Sequence, residues 1–435
     1  MAGEKTVVKK TISRARRTKT TKGPTEGRRK YTEDVKCSVD VGAKTRARAE
    51  EGTVKTGPAT AAKFQKGGGA ANEKTSKSLT ELPKDSRAKA CTIWMENVLD
   101  MGLRGIRTEF MKVAKNYVPQ GSHDACDEHL ALNRYDDVLC LDKTRVKLKN
   151  NPEGDDYIHA SYVTVNDDLT RVKLKNNPEG DDYIHASYVT VNDDLVYICA
   201  QGPLSNTAHH FWLMIMQENC KVVLQLCQLI EDGKEKCNEY YPTPTDGNDW
   251  KTYGSVQVKI VDRTSNVAGM KKVTKTKMQV RMEDKKDSVH ELTHIFYQGW
   301  PDHSVAESVA TCREVRALVH RLYEKKPIVA HCSAGIGRTG TFVMIELVAY
   351  RLLVKHDTDL RMLDVMKELR EQRMHAIQND QQYVFVFRCV LEILLHEDAL
   401  PKTPEITKFI EDYENLIARK KAERAKNKAK GGQTV

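Results

Sequence analysis

The sequence predicts one large mixed α/β (α+β) domain, preceded by a basic tail and followed by a shorter charged segment. Short alternating or apolar stretches typical of strands are interspersed irregularly with longer stretches of helical periodicity. Of the 435 residues 40% are hydrophobic, which is enough for a sizeable core. The composition changes near residue 84 and again near residue 401. We therefore expect a disordered basic tail over 1–84, a folded domain over 85–400, and a helical or disordered charged tail over 401–435.

The first 84 residues carry most of the positive charge of a chain whose net charge is +10, with 21 Lys and Arg against 9 Asp and Glu. They contain the run GGGAAN and show no sustained apolar period, so ordering them would bury too little apolar surface. A solvated tail is the simpler interpretation. The alternative is a patch that binds an anionic partner, either nucleic acid or a membrane surface, or that directs nuclear import. Its basic residues would be Arg14, Arg16, Arg17, Arg28, Arg29 and Lys30.

The composition also indicates in which cellular compartment the protein is expected. No apolar run approaches the roughly 20 residues that a membrane helix needs, and the charged N-terminus lacks the apolar stretch of a secretory signal. We expect no transmembrane segment and a cytoplasmic location, with the nucleus as an option through the basic tail. The 11 cysteines form no C-x-x-C pair, which favours buried thiols over a zinc cluster or a disulfide framework.

The folded region divides into recognisable elements. Apolar residues recur at roughly helical spacing over residues 91–114, where two glycines argue against one unbroken helix. Four more segments predict helices: 209–219, 312–326, 339–356 and 380–397. Five short alternating or apolar segments predict strands: 196–200, 221–227, 255–261, 277–282 and 327–332.

A perfect tandem repeat lies inside the domain, because residues 144–169 recur identically as residues 170–195. Two undiverged copies without a third argue against a solenoid and fit a duplicated exon or an error in the gene model. If both copies exist, we expect one to supply the native strands while the other protrudes or pairs with it. Either Tyr157 or Tyr183 can hold the native position, and the sequence does not choose between them.

The segment PIVAHCSAGIGRTGTF, residues 327–342, carries the chemistry. An apolar strand runs into Cys332, a glycine-bearing loop follows, and a helix begins near Arg338. This order points backbone N–H groups at one anion, and Gly335 and Gly337 allow the close approach that a phosphate needs. The purely structural alternative is a buried cysteine before a glycine-rich turn. It does not account for so specific a sequence motif.

These residues predict nucleophilic catalysis by sulfur. Loop amides, the helix dipole and Arg338 should favour the thiolate of Cys332 and lower its pKa. The planar guanidinium of Arg338 can hold two phosphoryl oxygens as charge redistributes. Thr339 is placed to donate a hydroxyl hydrogen bond to the sulfur.

From about residue 90 to residue 400 the chain resembles the catalytic domain of the phosphotyrosine-specific protein tyrosine phosphatases of the non-receptor type. The loop from His331 to Gly340 matches the signature of that family without departure. The resemblance implies a cysteine-phosphatase fold, with a central, highly twisted mixed sheet flanked by helices, and a cysteinyl-phosphate intermediate. It implies hydrolysis of phosphotyrosine in phosphotyrosyl proteins, a role in signal transduction, and no metal or other cofactor.

The resemblance assigns the phosphate loop and the acid. Asp302, in the motif Trp300-Pro301-Asp302-His303, would protonate the leaving oxygen and then take a proton from water, because a phenolate is a poor leaving group. His331 would tune the thiolate through a hydrogen bond. The loop residues that would bind the phosphoryl oxygens beside Arg338 are Ser333, Ala334, Gly335, Ile336 and Gly337.

The resemblance also assigns three groups around the pocket. In the motif at residues 133–138, Tyr135 would form a wall that stacks on the substrate ring, Asp137 would hold the peptide backbone, and Val138 would pack near the ring. Gln382, and to a lesser degree Gln378, would position the attacking water.

The resemblance also assigns roles to two charged residues. Lys236 would approach the acid loop and the substrate, and Glu231 would orient Arg338. A plain helix N-terminus capped by Asp380 is the alternative for the glutamine motif.

Two rival functions remain. In the first, the chain would be a phosphotyrosine-binding module without catalytic activity, because the 26-residue insertion distorts its fold. Alternatively, the basic tails would be the main functional element and would tether the domain to nucleic acid or an anionic membrane. The sequence also departs from the family at Asp136, where a basic residue often stands, so the preference for acidic phosphopeptides should be reduced.

Overall fold

A computed structural model of the chain describes residues 85–149, 151–152, 154–164, 170–173, 183–188, 195–243 and 249–431. The basic tail expected over residues 1–84, with its proposed arginine and lysine patch, lies outside the described residues.

A mixed nine-stranded sheet forms the centre of the domain, in the order β1-β2-β5-β13-β6-β12-β11-β10-β9. The four central strands β5, β13, β6 and β12 are parallel, and the strands on both flanks pair antiparallel. Two small two-stranded sheets, β3-β4 and β7-β8, share no strand with it, although β4 lies near β1 and β2. The strands are β1 Arg145–Lys147, β2 Tyr157–Thr164, β3 Thr170–Lys173, β4 Tyr183–Tyr188, β5 Val196–Ala200, β6 Val222–Gln225, β7 Ile230–Glu231, β8 Lys234–Glu235, β9 Lys251–Tyr253, β10 Val256–Ser265, β11 Val273–Met282, β12 Val289–Tyr297 and β13 Ile328–His331.

Helices flank the sheet, and α5 and α7 pack against each other and are almost entirely buried. Among the described residues, none of the helices combines the length and the apolar character needed to cross a bilayer. The helices are α1 Ser86–Lys112, α2 Asp124–Glu128, α3 Ala208–Gln217, α4 Val309–Leu322, α5 Arg338–Leu353, α6 Met362–Gln372, α7 Asp380–His396 and α8 Pro404–Gly431, with short 3-10 turns at Ala114–Asn116, Leu130–Leu132 and Val267–Gly269.

The predicted mixed sheet with flanking helices is confirmed. Each of the five predicted helices and five predicted strands has a counterpart in the structure. The first helix is interrupted as expected, at Gly102, which takes a positive φ of 56° inside α1, whereas Gly105 remains helical. The strand β12, whose HELTHIFY mixes polar and apolar residues, and the helix α6 were not predicted. The charged segment after residue 401 is helical, as α8.

In the part of the repeat that the structure describes, the first copy, and not the second, supplies strands of the nine-stranded sheet. Strands β1 and β2 lie in the nine-stranded sheet and pair at Arg145 with Ser161 and at Lys147 with Tyr157. Strands β3 and β4 come from the second copy and pair in the equivalent register, Arg171 with Ser187, in a separate hairpin. The same sequence thus folds into the same hairpin twice, and Tyr157 holds the position that the sequence left open.

The active end of the domain follows from this topology. Strand β13 lies between two parallel neighbours and is buried along its whole length. Its carboxyl end leads into Cys332, and α5 begins at Arg338. A loop at the carboxyl end of central parallel strands, followed by a helix N-terminus, is a favourable place to bind an anion.

Candidate active site

The loop between β13 and α5 has a shape that only glycine permits at one position. Gly335 takes a left-handed φ of 70°, and a Cβ there would lie 2.2 Å from the carbonyl oxygen of Ala200. Gly337 is similarly constrained, since a Cβ would lie 1.8 Å from Oε1 of Gln378. The two glycines thus let the loop pack tightly against Ala200 and Gln378, whereas the prediction concerned close approach to a phosphate.

Cys332 lies at the base of this loop, with 3% of its surface exposed. Its Sγ accepts a hydrogen bond from the amide of Gly335 at 3.3 Å. The contact shows that a backbone N–H of the loop points at the sulfur, which suits a nucleophile at the base of an amide-lined loop.

Arg338 begins α5 and points its guanidinium back across the loop. Nη1 donates to Glu231 at 2.7 Å and to the carbonyl of Trp300 at 3.1 Å, and Nη2 donates to Asp302 at 3.0 Å. Burial disfavours the charged form, but Cys227, Asp302 and Glu231 outweigh it and raise the pKa of Arg338. The predicted role of Glu231 in orienting this arginine agrees with the short ion pair.

The acid loop, residues 300–304, places Asp302 within the same site. Its carboxylate contacts Nη2 of Arg338 on one side and Nζ of Lys236, at 2.6 Å, on the other. Burial would raise the pKa of Asp302, but the charges of Arg338, His303 and Lys236 outweigh it and lower the pKa to about 2. With these partners Asp302 is ionised near pH 7, and the predicted contact of Lys236 with the acid loop is present.

Arg373 supports the loop from behind, and sequence reasoning missed it. It is fully buried, and its Nε and Nη2 donate to the carbonyls of Gly335 and Ala334 at 3.1 and 3.0 Å. On its other side it contacts Ser161 and His159 of strand β2, at 3.1 and 3.2 Å. By holding loop carbonyls outward, Arg373 leaves the loop amides free to face an anion.

The predicted recognition motif lies beside the loop. The hydroxyl of Tyr135 lies 2.9 Å from Oγ of Ser333, so the ring stands at the wall of the site. Val138 packs with Ala334 and Ile336 and is 2% exposed.

A cavity of about 250 Å³ lies next to this motif. The residues that line it include Lys115, Asp137, Val138, Ile336, Arg370, His375, Ile377 and Gln378. The structure thus places Tyr135 and Val138 beside the loop and Asp137 on the lining of this cavity.

The glutamine motif lies against the phosphate loop at Gly337. Oε1 of Gln382 accepts from the amide of Gln378 at 3.0 Å, and the Nε2 groups of both glutamines are buried without a partner. Both side chains lie next to Gly337. Asn379, not Asp380, caps α7, since its Oδ1 accepts from the amide of Gln382 at 3.0 Å. Asp380 instead pairs with Arg107 of α1 at 2.6 Å, which explains why the cap prediction was wrong.

Two expected contacts to the nucleophile have different outcomes. Nδ1 of His331 lies 3.3 Å from the carbonyl of Cys332, and Nε2 lies 2.7 Å from the hydroxyl of Tyr240. His331 therefore contacts the backbone of the nucleophile rather than its sulfur. The expected hydrogen bond from Thr339 to the sulfur is absent, because Oγ1 of Thr339 is buried without a partner and Sγ accepts from Gly335 instead.

These groups converge on one chemistry. A thiol, a guanidinium, loop amides and a carboxylate lie close together around one loop, which suits attack by sulfur on a phosphoryl group. Within the described segments, no group of three or more His, Cys, Asp or Glu side chains is arranged to hold a metal ion. Each of the ten cysteines in those segments is buried and outside any disulfide.

Comparison with known proteins gives a consistent result. The family model described as "Protein-tyrosine phosphatase" matches residues 129–168 and 164–392, two pieces that meet inside the repeat. The human tyrosine-protein phosphatase non-receptor type 7 is 31% identical over 305 residues, covering 69% of this chain and 73% of the relative.

Other relatives are much longer than the matched region. The receptor-type tyrosine-protein phosphatase eta of Gallus gallus is 34% identical over 272 residues, which are 61% of this chain but 17% of the relative. The human receptor-type tyrosine-protein phosphatase zeta is 30% identical, and the match covers 11% of its length. A solved structure titled "Structural basis of PTPN18 fingerprint on distinct HER2 tyrosine phosphorylation sites" has a TM-score of 0.55 and 25% identity, over 72% of this chain and 100% of that one.

Proposed function

The chain belongs to the protein-tyrosine phosphatase family, and from that premise we propose that it hydrolyses phosphotyrosine in proteins to tyrosine and phosphate. The convergence of Cys332, Arg338 and Asp302 on one loop is the observation that carries the proposal. The separation of 3.0 Å between Arg338 and Asp302 supports it, because a phosphoryl group bound by the arginine would lie next to the acid.

The first step transfers the phosphoryl group to sulfur. The Cys332 thiolate attacks phosphorus and forms an S–P bond while the bond between phosphorus and the phenolic oxygen breaks. Asp302 gives its proton to that oxygen, and Arg338 with the loop amides holds the three other phosphoryl oxygens. The product of this step is tyrosine and a cysteinyl phosphate.

The second step releases phosphate. Gln382 and Gln378 hold a water next to the phosphoryl group, and their unpartnered buried Nε2 groups are available for this. Asp302, now a carboxylate, takes a proton from the water as its oxygen attacks phosphorus. The S–P bond breaks and returns the Cys332 thiolate.

Substrate binding must change the protonation of Asp302. The charges of Arg338, His303 and Lys236 outweigh burial and lower its pKa to about 2. A phosphate dianion would draw Arg338 away and add negative charge nearby, and both effects raise the pKa of the carboxyl group. We infer that bound phosphotyrosine raises the pKa of Asp302 enough for its carboxyl group to carry a proton. The kcat should then fall as pH rises through the pKa of Asp302 in the complex.

Selectivity for phosphotyrosine is proposed from the position of Tyr135 at the wall of the site. Its ring would stack on the substrate ring above Cys332, and the shorter phosphoserine side chain would not reach the sulfur. Participation in signal transduction, a cytoplasmic or nuclear location, and an anionic partner for the basic tails are also proposals. Imaging of the tagged chain, and salt-dependent binding that disappears when residues 1–84 are deleted, would test them.

The decisive experiment measures phosphate release from matched phosphotyrosyl and phosphoseryl peptides. We expect the wild type to act on the first peptide only, and Cys332→Ser to abolish release. Cys220→Ser is the matched control, because burial raises the pKa of that thiol well above its usual value and it lies outside the site. Wild-type release equal to that of Cys332→Ser would end the proposal, and tight phosphopeptide binding without release would favour an inactive binding module instead.

A further inference from the structure

The C-terminal helix α8 is anchored to the domain by a buried apolar stripe. Ile406, Phe409, Tyr413 and Leu416 are all at most 5% exposed, and they recur at the three- to four-residue spacing of one helix face. Through this stripe α8 packs on α1 and α7. The first half of the helix therefore has a fixed position, which fixes the direction in which its second half extends.

The same face continues beyond the apolar stripe as two basic residues. Lys420 and Arg424 follow Leu416 at four-residue intervals and are partly buried, while most of their neighbours on the helix are exposed. Arg424 reaches the acid loop, and its Nη2 donates a hydrogen bond to the carbonyl oxygen of His303. The charged tail thus contacts the residue directly after the proposed acid.

The carbonyl oxygen of His303 connects the acid loop to two other parts of the fold through hydrogen bonds. Besides Arg424 of α8, it accepts a hydrogen bond from Nδ2 of Asn379, at 3.3 Å, in the turn that carries the glutamines. His303 itself takes a left-handed φ of 50°, which is unfavourable for a residue with a side chain. A loop in this conformation depends on its surroundings, and these two donors are part of them.

The charge of Arg424 suits this position. Burial lowers its pKa, while the nearby carboxylates of Asp302 and Asp380 act in the opposite direction. An arginine remains charged under these conditions. A charged donor to a carbonyl makes a stronger hydrogen bond than a neutral one, so the guanidinium is a substantial restraint on the loop.

We propose that Arg424 is a positioning residue for the reaction: by binding the carbonyl of His303, it holds the acid loop so that Asp302 faces the phosphoryl site. The C-terminal helix is then part of the active enzyme. Arg424 touches neither substrate nor reacting atoms, and it acts through Asp302. The inference rests on the proposed phosphatase activity.

Two small substrates separate this role from general stabilisation. Phenyl phosphate releases a phenol of pKa about 10 and needs protonation by Asp302, whereas 4-nitrophenyl phosphate releases a much more acidic phenol and needs it less. A misplaced Asp302 therefore lowers kcat/KM more for the first substrate. A variant that merely loosens the fold lowers both by the same factor.

The test variant is Arg424→Met, which keeps the apolar stem of the side chain and removes the guanidinium. We expect kcat/KM to fall roughly five- to tenfold for phenyl phosphate and no more than about twofold for 4-nitrophenyl phosphate, as loss of one charge-assisted hydrogen bond to a loop suggests. Lys421→Met removes a charge from an exposed position of the same helix and should change neither value. Arg424→Lys should recover part of the loss.

A second arm uses Asp302→Asn as the background. There Arg424→Met should have no further effect on phenyl phosphate, because the group that it positions is gone. Equal losses on both substrates, no loss on either, or a further loss in the Asp302→Asn background would overturn the inference. Failure of the proposed function would look different, since the wild type itself would then show no turnover that depends on Cys332.

Discussion

The tandem repeat allows one residue to be tested against an identical copy of itself. His159 and His185 occupy the same place in the two copies of IHAS. His159 lies in strand β2 of the nine-stranded sheet and is 2% exposed. His185 lies in strand β4, which pairs with β3 in a separate hairpin. If the first copy is the working one, His159→Ala should be costly and His185→Ala should not.

The magnitude follows from the partners of His159. Burial, with a smaller contribution from the charge of Arg373, lowers the pKa of His159 to about 3, so the ring is neutral near pH 7. Nε2 then donates to the carbonyl of Val138 at 2.9 Å, and Nδ1 accepts from Arg373 at 3.2 Å. Each buried partner left unsatisfied costs about 1–3 kcal/mol, so His159→Ala should lower the free energy of unfolding by roughly 2–5 kcal/mol.

Activity should fall with stability, because Arg373 also holds the carbonyls of Ala334 and Gly335. We expect the thermal midpoint of His159→Ala to drop by roughly 5–15 °C and kcat for a phosphotyrosyl peptide to fall. His185→Ala should lower the free energy of unfolding by less than His159→Ala does, because β4 forms no hydrogen-bonded ladder with the nine-stranded sheet. Equal effects of the two variants, or two mild single variants with a severe double variant, would refute a fixed role for the first copy.

Three further predictions concern the loop and the core. Gly335→Ala should abolish most activity, because its Cβ would lie 2.2 Å from the carbonyl oxygen of Ala200 at a left-handed φ; peptide turnover measures this. Arg373→Met should lower kcat and destabilise the fold by about 2–4 kcal/mol in urea unfolding, since it leaves two loop carbonyls without donors. Burial would raise the pKa of Glu346, but Arg316 and His320 outweigh it and lower it to about 2. Glu346 should therefore stabilise the fold fully above about pH 4.3 and less as pH falls through about 2, and Glu346→Gln should remove that dependence in pH-dependent unfolding.

Matched variants separate these effects from general damage. Gly269→Ala introduces a side chain at a φ of 78° with no atom within 4 Å, so it should retain activity. Arg321→Met, at an exposed position of α4, is the control for Arg373→Met. For Glu346→Gln the loss near pH 7 should be roughly 2–4 kcal/mol, since its partner Arg316 is 21% exposed and a fully buried partner would make the loss larger. An active Gly335→Ala, or unfolding of Glu346→Gln that keeps the wild-type pH dependence, would contradict these explanations.

The sequence predicted those features of the site whose residues lie close together along the chain. The strand, the glycine loop, Cys332 and Arg338 lie within one short segment, so their chemistry is visible without a fold. Asp302 and Glu231 required the family resemblance, because their distance from Arg338 depends on how three loops meet.

Residues that act through distant partners could not be predicted. Arg373 looks like an ordinary charged residue of EQRMHAIQND, and its partners His159 and Ser161 lie 214 and 212 positions away. Arg424 lies in a segment whose composition suggested only a charged tail. The choice between Tyr157 and Tyr183 had no local signal at all, since both copies have identical neighbours.

The central claim is that sulfur of Cys332 carries the phosphoryl group between substrate and water. Rapid acid quench of the wild-type enzyme with a radiolabelled phosphotyrosyl peptide, followed by peptide mapping, tests it most directly. The label should appear on the peptide that contains Cys332, and it should accumulate further in Gln382→Ala, in which water is poorly placed. Turnover with no label on that peptide, or with label on a different residue, would contradict the account.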